Sequence, residues 1–302
     1  MPAIKAKSVK TIKGKSVKVS EPDKISLIKG RKYGWRPDLP DARNLSFTPM
    51  FASMGIEIAL PPSIDLRKDC SKIEDQGQLG SCTGNMLAGI LEYKDRVMHA
   101  PNLIDYSRLF AYYFARKQEG TVSYDAGASI RDVIKVISLY GVCDEKLWPY
   151  DINKFDRLPS QKAVLDATNR KISTYHRLDD NPDRSAVLHN IKTALAGREP
   201  VALGISVYQS FESAAVAKSG IVPMPALAKE RLLGGHAVGL FGYDDSKRWL
   251  VGRNSWGSNW GDHGYFYLPY DYILNANLSA DMWVVDFNIP KVAQIMQSYV
   301  QV

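Results

Sequence analysis

One run, Asp75-Gln76-Gly77-Gln78-Leu79-Gly80-Ser81-Cys82-Thr83-Gly84, constrains this chain more than any other. A glycine-rich turn delivers a thiol to the start of an apolar stretch, Met86-Leu87-Ala88-Gly89-Ile90-Leu91, that reads as a helix. The positive end of the helix dipole there favours thiolate over thiol at Cys82. Far downstream stand Gly234-Gly235-His236-Ala237-Val238 and Arg253-Asn254-Ser255-Trp256-Gly257. Thiol, imidazole and amide, in that order, are an attacking atom, a proton shuttle and a group that can hold the shuttle. Each has an ordinary structural reading when taken alone: a packed cysteine, a histidine entering a strand, a tight turn. All three in order require a fold that brings distant segments to one point.

These segments resemble the papain family of cysteine peptidases. The resemblance rests on Gln76-Gly77-x-x-Gly80-Ser81-Cys82, on Gly235-His236-Ala237-Val238, and on Asn254-Ser255-Trp256-Gly257 with Trp260-Gly261-x-x-Gly264-Tyr265. It covers roughly residues 60 to 287. It implies an α+β, two-lobed fold with a helical N-terminal lobe, a strand-rich, barrel-like C-terminal lobe and the site in the cleft between them. It also implies roles. Cys82 is the nucleophile, His236 the base and Asn254 the orienting group. Trp256 shields the His–Asn hydrogen bond. Gln76 donates to the oxyanion together with the Cys82 backbone N–H. Gly127 and Gly235 are expected to bind an extended peptide through their backbone. No cofactor is implied.

The chain departs from the family pattern in places. Thr83 follows the nucleophile where an aromatic is usual, and Leu79 stands where many relatives have cysteine. The substrate wall reads Tyr124-Asp125-Ala126-Gly127-Ala128-Ser129, without the usual cysteine and paired glycines. Cys82 lies 154 residues before His236 and 172 before Asn254, against the usual ~130–150. Insertions follow, with Ser213 to Leu233 one candidate loop. These differences bear on substrate preference rather than on mechanism.

Charge is distributed unevenly. Residues 1 to 36 hold eleven Lys and Arg against Glu21 and Asp23, while the remainder carries 28 basic and 30 acidic groups. The chain's net +7 therefore belongs to a tail. Contact of that tail with nucleic acid is the lesser reading, and a solvated leader the greater. Residues 1 to 59 are expected to form a basic extension and pro-segment that inhibits the enzyme. Tyr33-Gly34-Trp35-Arg36-Pro37 reads either as a surface loop or as the anchor of that segment on the body. No run approaches the roughly 18 apolar residues of a membrane span. The N-terminus lacks a secretory h-region. Only Cys70, Cys82 and Cys143 carry thiols, and two loose thiols are preferred over a Cys70–Cys143 bridge. An intracellular, reducing location is the expectation.

The peptidase domain is expected over residues 60–302. Helical spacing covers Cys82 to His99, Ser107 to Lys117 and Ser129 to Tyr140 within a helical lobe of about 60–200. Strands are read at Val201 to Val207, His236 to Tyr243, Trp249 to Arg253 and Gly264 to Leu268, within a lobe of about 201–290. Scattered cysteines and histidines give no metal-ligand spacing, and neither a phosphate loop nor a G-x-S-x-G elbow occurs. The expectation is a thiol-dependent endopeptidase acting on peptides or proteins and made as a latent zymogen. A catalytically silent binding module, an exopeptidase and a transpeptidase are the alternatives.

Overall fold

The first long helix, α1 (Cys82–His99), is enclosed rather than half-exposed. Met86, Leu87, Ile90 and Leu91 are all buried, and so are the polar Thr83 and Asn85, so the helix is enclosed on every side of its first turns. Its buried charges are paired, as a low-dielectric interior requires. Glu92 accepts the Tyr106 N–H at 3.0 Å, Asp95 accepts the Tyr106 hydroxyl at 3.2 Å, and Lys94 meets Glu199. The computed structural model containing it describes residues 31–47, 59–99 and 104–288. Most of the basic tail lies outside the described residues.

Helices α2 (Arg108–Gln118) and α3 (Ile130–Tyr140) begin at serine caps. Ser107 Oγ accepts the Phe110 N–H at 3.2 Å, and Ser129 Oγ the Asp132 N–H at 3.1 Å. Helix α3 stops at Gly141, whose φ of 83° suits glycine. A Cβ there would also lie 1.7 Å from the Ala167 carbonyl oxygen. These starts and stops are the ones the helical spacing implies, to within a residue.

The second half is an antiparallel sheet of β1 (Ser63–Asp65), β2 (Lys171–Arg177), β3 (Val201–Tyr208), β4 (Leu232–Asp244), β5 (Trp249–Arg253), β6 (Tyr265–Pro269) and β7 (Ser279–Asn288). Its order is β2-β7-β3-β4-β5-β6, with β1 paired to β4. Strands β1 and β2 come from the chain before Pro200. The pairing of β2 with β7 slips between Ile172 and Thr174, and such a bulge blurs the two-residue alternation by which a strand is read. Helix α5 (Arg184–Ala196), the shorter α4 (Gln161–Ala167), α6 (Ala214–Ser219) and α7 (Tyr270–Leu274), and 3-10 turns at Arg67–Asp69, Ile152–Lys154 and Gln209–Glu212 complete the element order. The stretch from Ser213 to Leu233 thus opens as α6, capped by Ser213 and ended by Gly220 at φ 72°. Among the described residues, no helix is long and apolar enough to cross a membrane. Cys70, Cys82 and Cys143 are free and buried, so no Cys70–Cys143 bridge forms.

The helical lobe is laced to the sheet where it matters. Gln76 N–H donates to the Ser255 carbonyl at 2.8 Å, and Asp75 bridges Trp256. Arg253 donates to the Ser71 and Lys72 carbonyls at 3.1 and 2.5 Å. Behind them the Tyr93 and Phe241 rings meet edge-on at 5.6 Å. These bonds tie the turn before Cys82 to the turn after β5.

Candidate active site

Sheet register brings His236 and Asn254 together. On β4, Gly239 faces Arg253 of β5 in an antiparallel pair, so the chain leaving β5 runs toward the His236 end of β4. Asn254 is held at that exit by its N–H, which donates to the Gly264 carbonyl at 3.0 Å. His236 Nε2 then lies 2.8 Å from Asn254 Oδ1. The Ser255 N–H donates to the same oxygen at 2.8 Å. A backbone N–H can only donate, so the atom it meets is an acceptor, and His236 Nε2 must carry the proton in that bond. The free lone pair of a neutral imidazole is then on Nδ1, which has no hydrogen-bond partner among the described residues. Trp256 stacks on the imidazole at 5.1 Å between centroids and is almost fully buried, which keeps water from the His–Asn bond.

Cys82 is the first residue of α1, at its N-terminus. The N–H of Ala237, the residue after His236, points at its sulfur, which places thiol and imidazole strand side by side. Gln76 is also fixed at both ends. Its Oε1 accepts the Ser255 hydroxyl at 2.6 Å, while Nε2 donates to the carbonyls of Leu79 and Lys32, both at 3.0 Å. Ser255, which no motif argument singled out, therefore ties the glutamine to the asparagine. Tyr150 adds a second tie. Its hydroxyl donates to the Gln76 carbonyl at 2.9 Å and lies 2.5 Å from Ser81 Oγ.

The groove is filled by the chain's own residues 31–36. Lys32 gives its carbonyl to Gln76, and the Gly34 N–H points at the Cys82 sulfur. Trp35 N–H donates to the Gly235 carbonyl at 3.0 Å. Ala128, not its neighbour Gly127, supplies the ladder on the other wall: its N–H donates to the Gly34 carbonyl at 2.8 Å and its carbonyl accepts from Arg36 at 3.3 Å. The Gly127 N–H turns inward to the Tyr112 hydroxyl. Its missing side chain still matters, since a Cβ there would lie 2.1 Å from the Gly34 oxygen. Tyr33 and Trp35 are both buried, which makes this stretch the anchor rather than a surface loop. Trp35 Nε1 donates to Asp281 at 3.0 Å, over a recess where a Cβ on Gly204 would lie 2.1 Å from the indole.

That cover sets the electrostatics. Burial drives the Cys82 thiol up to about 11, against the pull of the N–H groups of Ala237, Gly34 and Thr83. Burial likewise drives His236 down to about 4, against the hydrogen bond to Asn254 and with the Arg31 cation adding to the fall. Removing water penalises both charged forms. Under its cover burial opposes both the thiolate and the imidazolium, against the thiolate that the helix dipole alone favours.

A sequence model of the papain family of cysteine proteases matches residues 60–282. The chain belongs to the papain family. Among papain-family relatives, an uncharacterised peptidase C1-like protein of Acanthamoeba polyphaga mimivirus is 37% identical over 270 residues, covering 84% of this chain and 86% of its own. A viral cathepsin of Spodoptera litura multicapsid nucleopolyhedrovirus is 29% identical over 261 residues, covering 82% and 70%. The crystal structure of xylellain, a cysteine protease from Xylella fastidiosa, superposes with a TM-score of 0.75 at 38% identity, covering 89% of this chain and 98% of that one. A digestive procathepsin L 3 of Tenebrio molitor shares the fold, with a TM-score of 0.62 at 20% identity. The papain-like α+β architecture in two lobes and the assignment as a cysteine-type peptidase follow from these matches.

Proposed function

We propose that this papain-family protein is an endopeptidase held latent by its own residues 31–36. Cys82 Sγ attacks the scissile carbonyl, His236 Nδ1 takes the thiol proton and returns it to the leaving amine, and Asn254 holds the imidazole. Gln76 Nε2 and the Cys82 N–H stabilise the oxyanion. The observation that carries the reading is the bare Nδ1 of His236, left as acceptor because Ser255 and Asn254 fix the other nitrogen as donor.

Two features favour internal over terminal cleavage and latency over silence. The seated segment continues past Cys82 on both sides, from Arg31 at Asp75 and Trp256 to Asp38 at Asp281, so the groove admits a chain without a free end. The Lys32 carbonyl already sits on the Gln76 amide, and the Gly34 N–H acts on the Cys82 thiol. The segment thereby occupies the Gln76 amide and covers the thiol. The three free thiols suit work in a reducing compartment. Alkylation by an epoxide directed at papain-type thiols, read by intact mass on the full chain and on Cys82→Ala, tests the reading. Labelling that survives Cys82→Ala, or cleavage that needs no reduced thiol, would overturn it.

A further inference from the structure

We infer that the groove selects basic peptides, through three carboxylates that hold cationic side chains along it: Asp75, Asp125 and Glu119. The inference rests on the peptidase reading and gives its substrate class.

The seated segment shows what the groove accepts. Within six residues, Arg31 pairs with Asp75, Lys32 Nζ lies 2.5 Å from Asp125 Oδ2, and Arg36 pairs with Glu119. A general acidity of the body does not account for this, because residues 37–302 carry 28 basic and 30 acidic groups and are nearly neutral. The three pairs differ in weight. The Asp75 side chain is 50% exposed, whereas those of Asp125 and Glu119 are 9% and 11% exposed. Exposed pairs contribute little, and poorly hydrated ones decide.

Apart from the seated cations, the two inner carboxylates meet neutral donors, the Asp132 carboxylate beside Glu119, and the field of the resident cation Arg116. Asp125 accepts the Gly80 N–H at 3.0 Å and the Tyr112 hydroxyl, and Glu119 accepts the Ser129 N–H at 3.4 Å. Arg116, 4.3 Å from the Tyr112 ring centre, is turned onto the carbonyls of Val122, Tyr124 and Phe155. When residues 31–36 leave the groove, Asp125 and Glu119 lose the cations that pair with them. A peptide with Lys or Arg at the same places restores both pairs. A neutral peptide leaves both pairs unmade, and an acidic one adds charge of the same sign beside Glu119 and Asp132.

Two fluorogenic peptides, identical except that Lys and Arg in one are norleucine in the other, test this on the full-length chain, both wild-type and carrying Trp35→Ala. The expected ratio of kcat/KM is at least tenfold in favour of the basic peptide at about 50 mM salt, and it shrinks severalfold at about 500 mM as screening takes hold. In Asp125→Asn and Glu119→Gln the ratio falls toward one, while the salt series reads the same effect without relying on any variant. Equal hydrolysis of the two peptides by a Cys82-dependent activity would overturn the inference and leave the peptidase standing. An unchanged ratio in both variants, with faster labelling of Cys82, would assign the carboxylates to the segment alone and also overturn it. No cleavage of either peptide would remove the inference together with the reading beneath it.

Discussion

Gln76 Nε2 donates to the Lys32 carbonyl at 3.0 Å, so the amide suited to an oxyanion is already satisfied by the chain's own backbone. Latency then depends on how well residues 31–36 fit. Gly34 is the tightest point, since a Cβ there would lie 1.8 Å from the Gly80 carbonyl oxygen. Gly34→Ala in the full-length chain is expected to expose the thiol. A shift of about 1.4 kcal/mol between seated and open forms gives a tenfold faster epoxide labelling of Cys82. Labelling at the wild-type rate, measured by intact mass over time, would show that the segment does not control access.

Cover also sets the pH response. In the wild-type chain the Cys82 thiol ionises at about 11, so its alkylation should keep climbing through the alkaline range. Once Gly34→Ala admits water, the burial that raises the thiol and lowers His236 is relieved, and the midpoint should move down. His236, held down to about 4, stays neutral in the folded chain at pH values where an unfolded chain would bind a proton. Its contribution to stability is therefore present at neutral pH and is lost as pH falls from the ordinary value of about 6.5 toward 4. Alkylation rate against pH for the two proteins is the check, and superimposable curves would refute the argument.

Ser255 is the coupling residue of the site. Ser255→Ala removes the 2.6 Å bond to Gln76 Oε1 and leaves a buried acceptor without its donor, a cost of about 1–3 kcal/mol. The glutamine amide should then wander. We expect kcat to fall about tenfold with KM little changed, against a fall of about 10²–10³ for Gln76→Ala. A raised KM at constant kcat would mean that Ser255 serves substrate binding instead.

Cys82→Ala and His236→Ala should abolish peptide cleavage while leaving the fold intact. Asn254→Ala should retain partial activity, because Trp256 still stacks on the imidazole, with a loss of about 100-fold as the tautomer and orientation are no longer imposed. Thermal melts of all three, beside kcat/KM, separate lost chemistry from lost structure. Wild-type turnover in Cys82→Ala would sink the assignment of the nucleophile.

Helices α1, α2 and α3 could be read because apolar residues recur there at helical spacing, whereas α4 and α5 were not read, and the strands around His236 could be read because apolar residues dominate them. Strands β1, β2 and β7 were not read from the sequence; β1 has only three residues, and β2 and β7 are paired with each other across the sheet from far apart in the chain. Within the site, Cys82, His236, Asn254, Gln76 and Trp256 stand in motifs that residue order exposes, and the structure gathers the last four around Ser255. No local pattern marks Ser255 as that hub, Ala128 rather than Gly127 as the ladder residue, or Asp125 as the partner of Lys32. What the residues alone determine is the chemistry on hand: a thiol at a helix start, an imidazole, an amide, and a basic aromatic stretch ahead of them. Tertiary structure decided their state. Only packing brings residues 31–36, from far along the chain, over the thiol, and the burial they complete works against the thiolate that the helix dipole favours. Desolvation depends on every neighbour in space, and neighbours in space are not written in order along a chain.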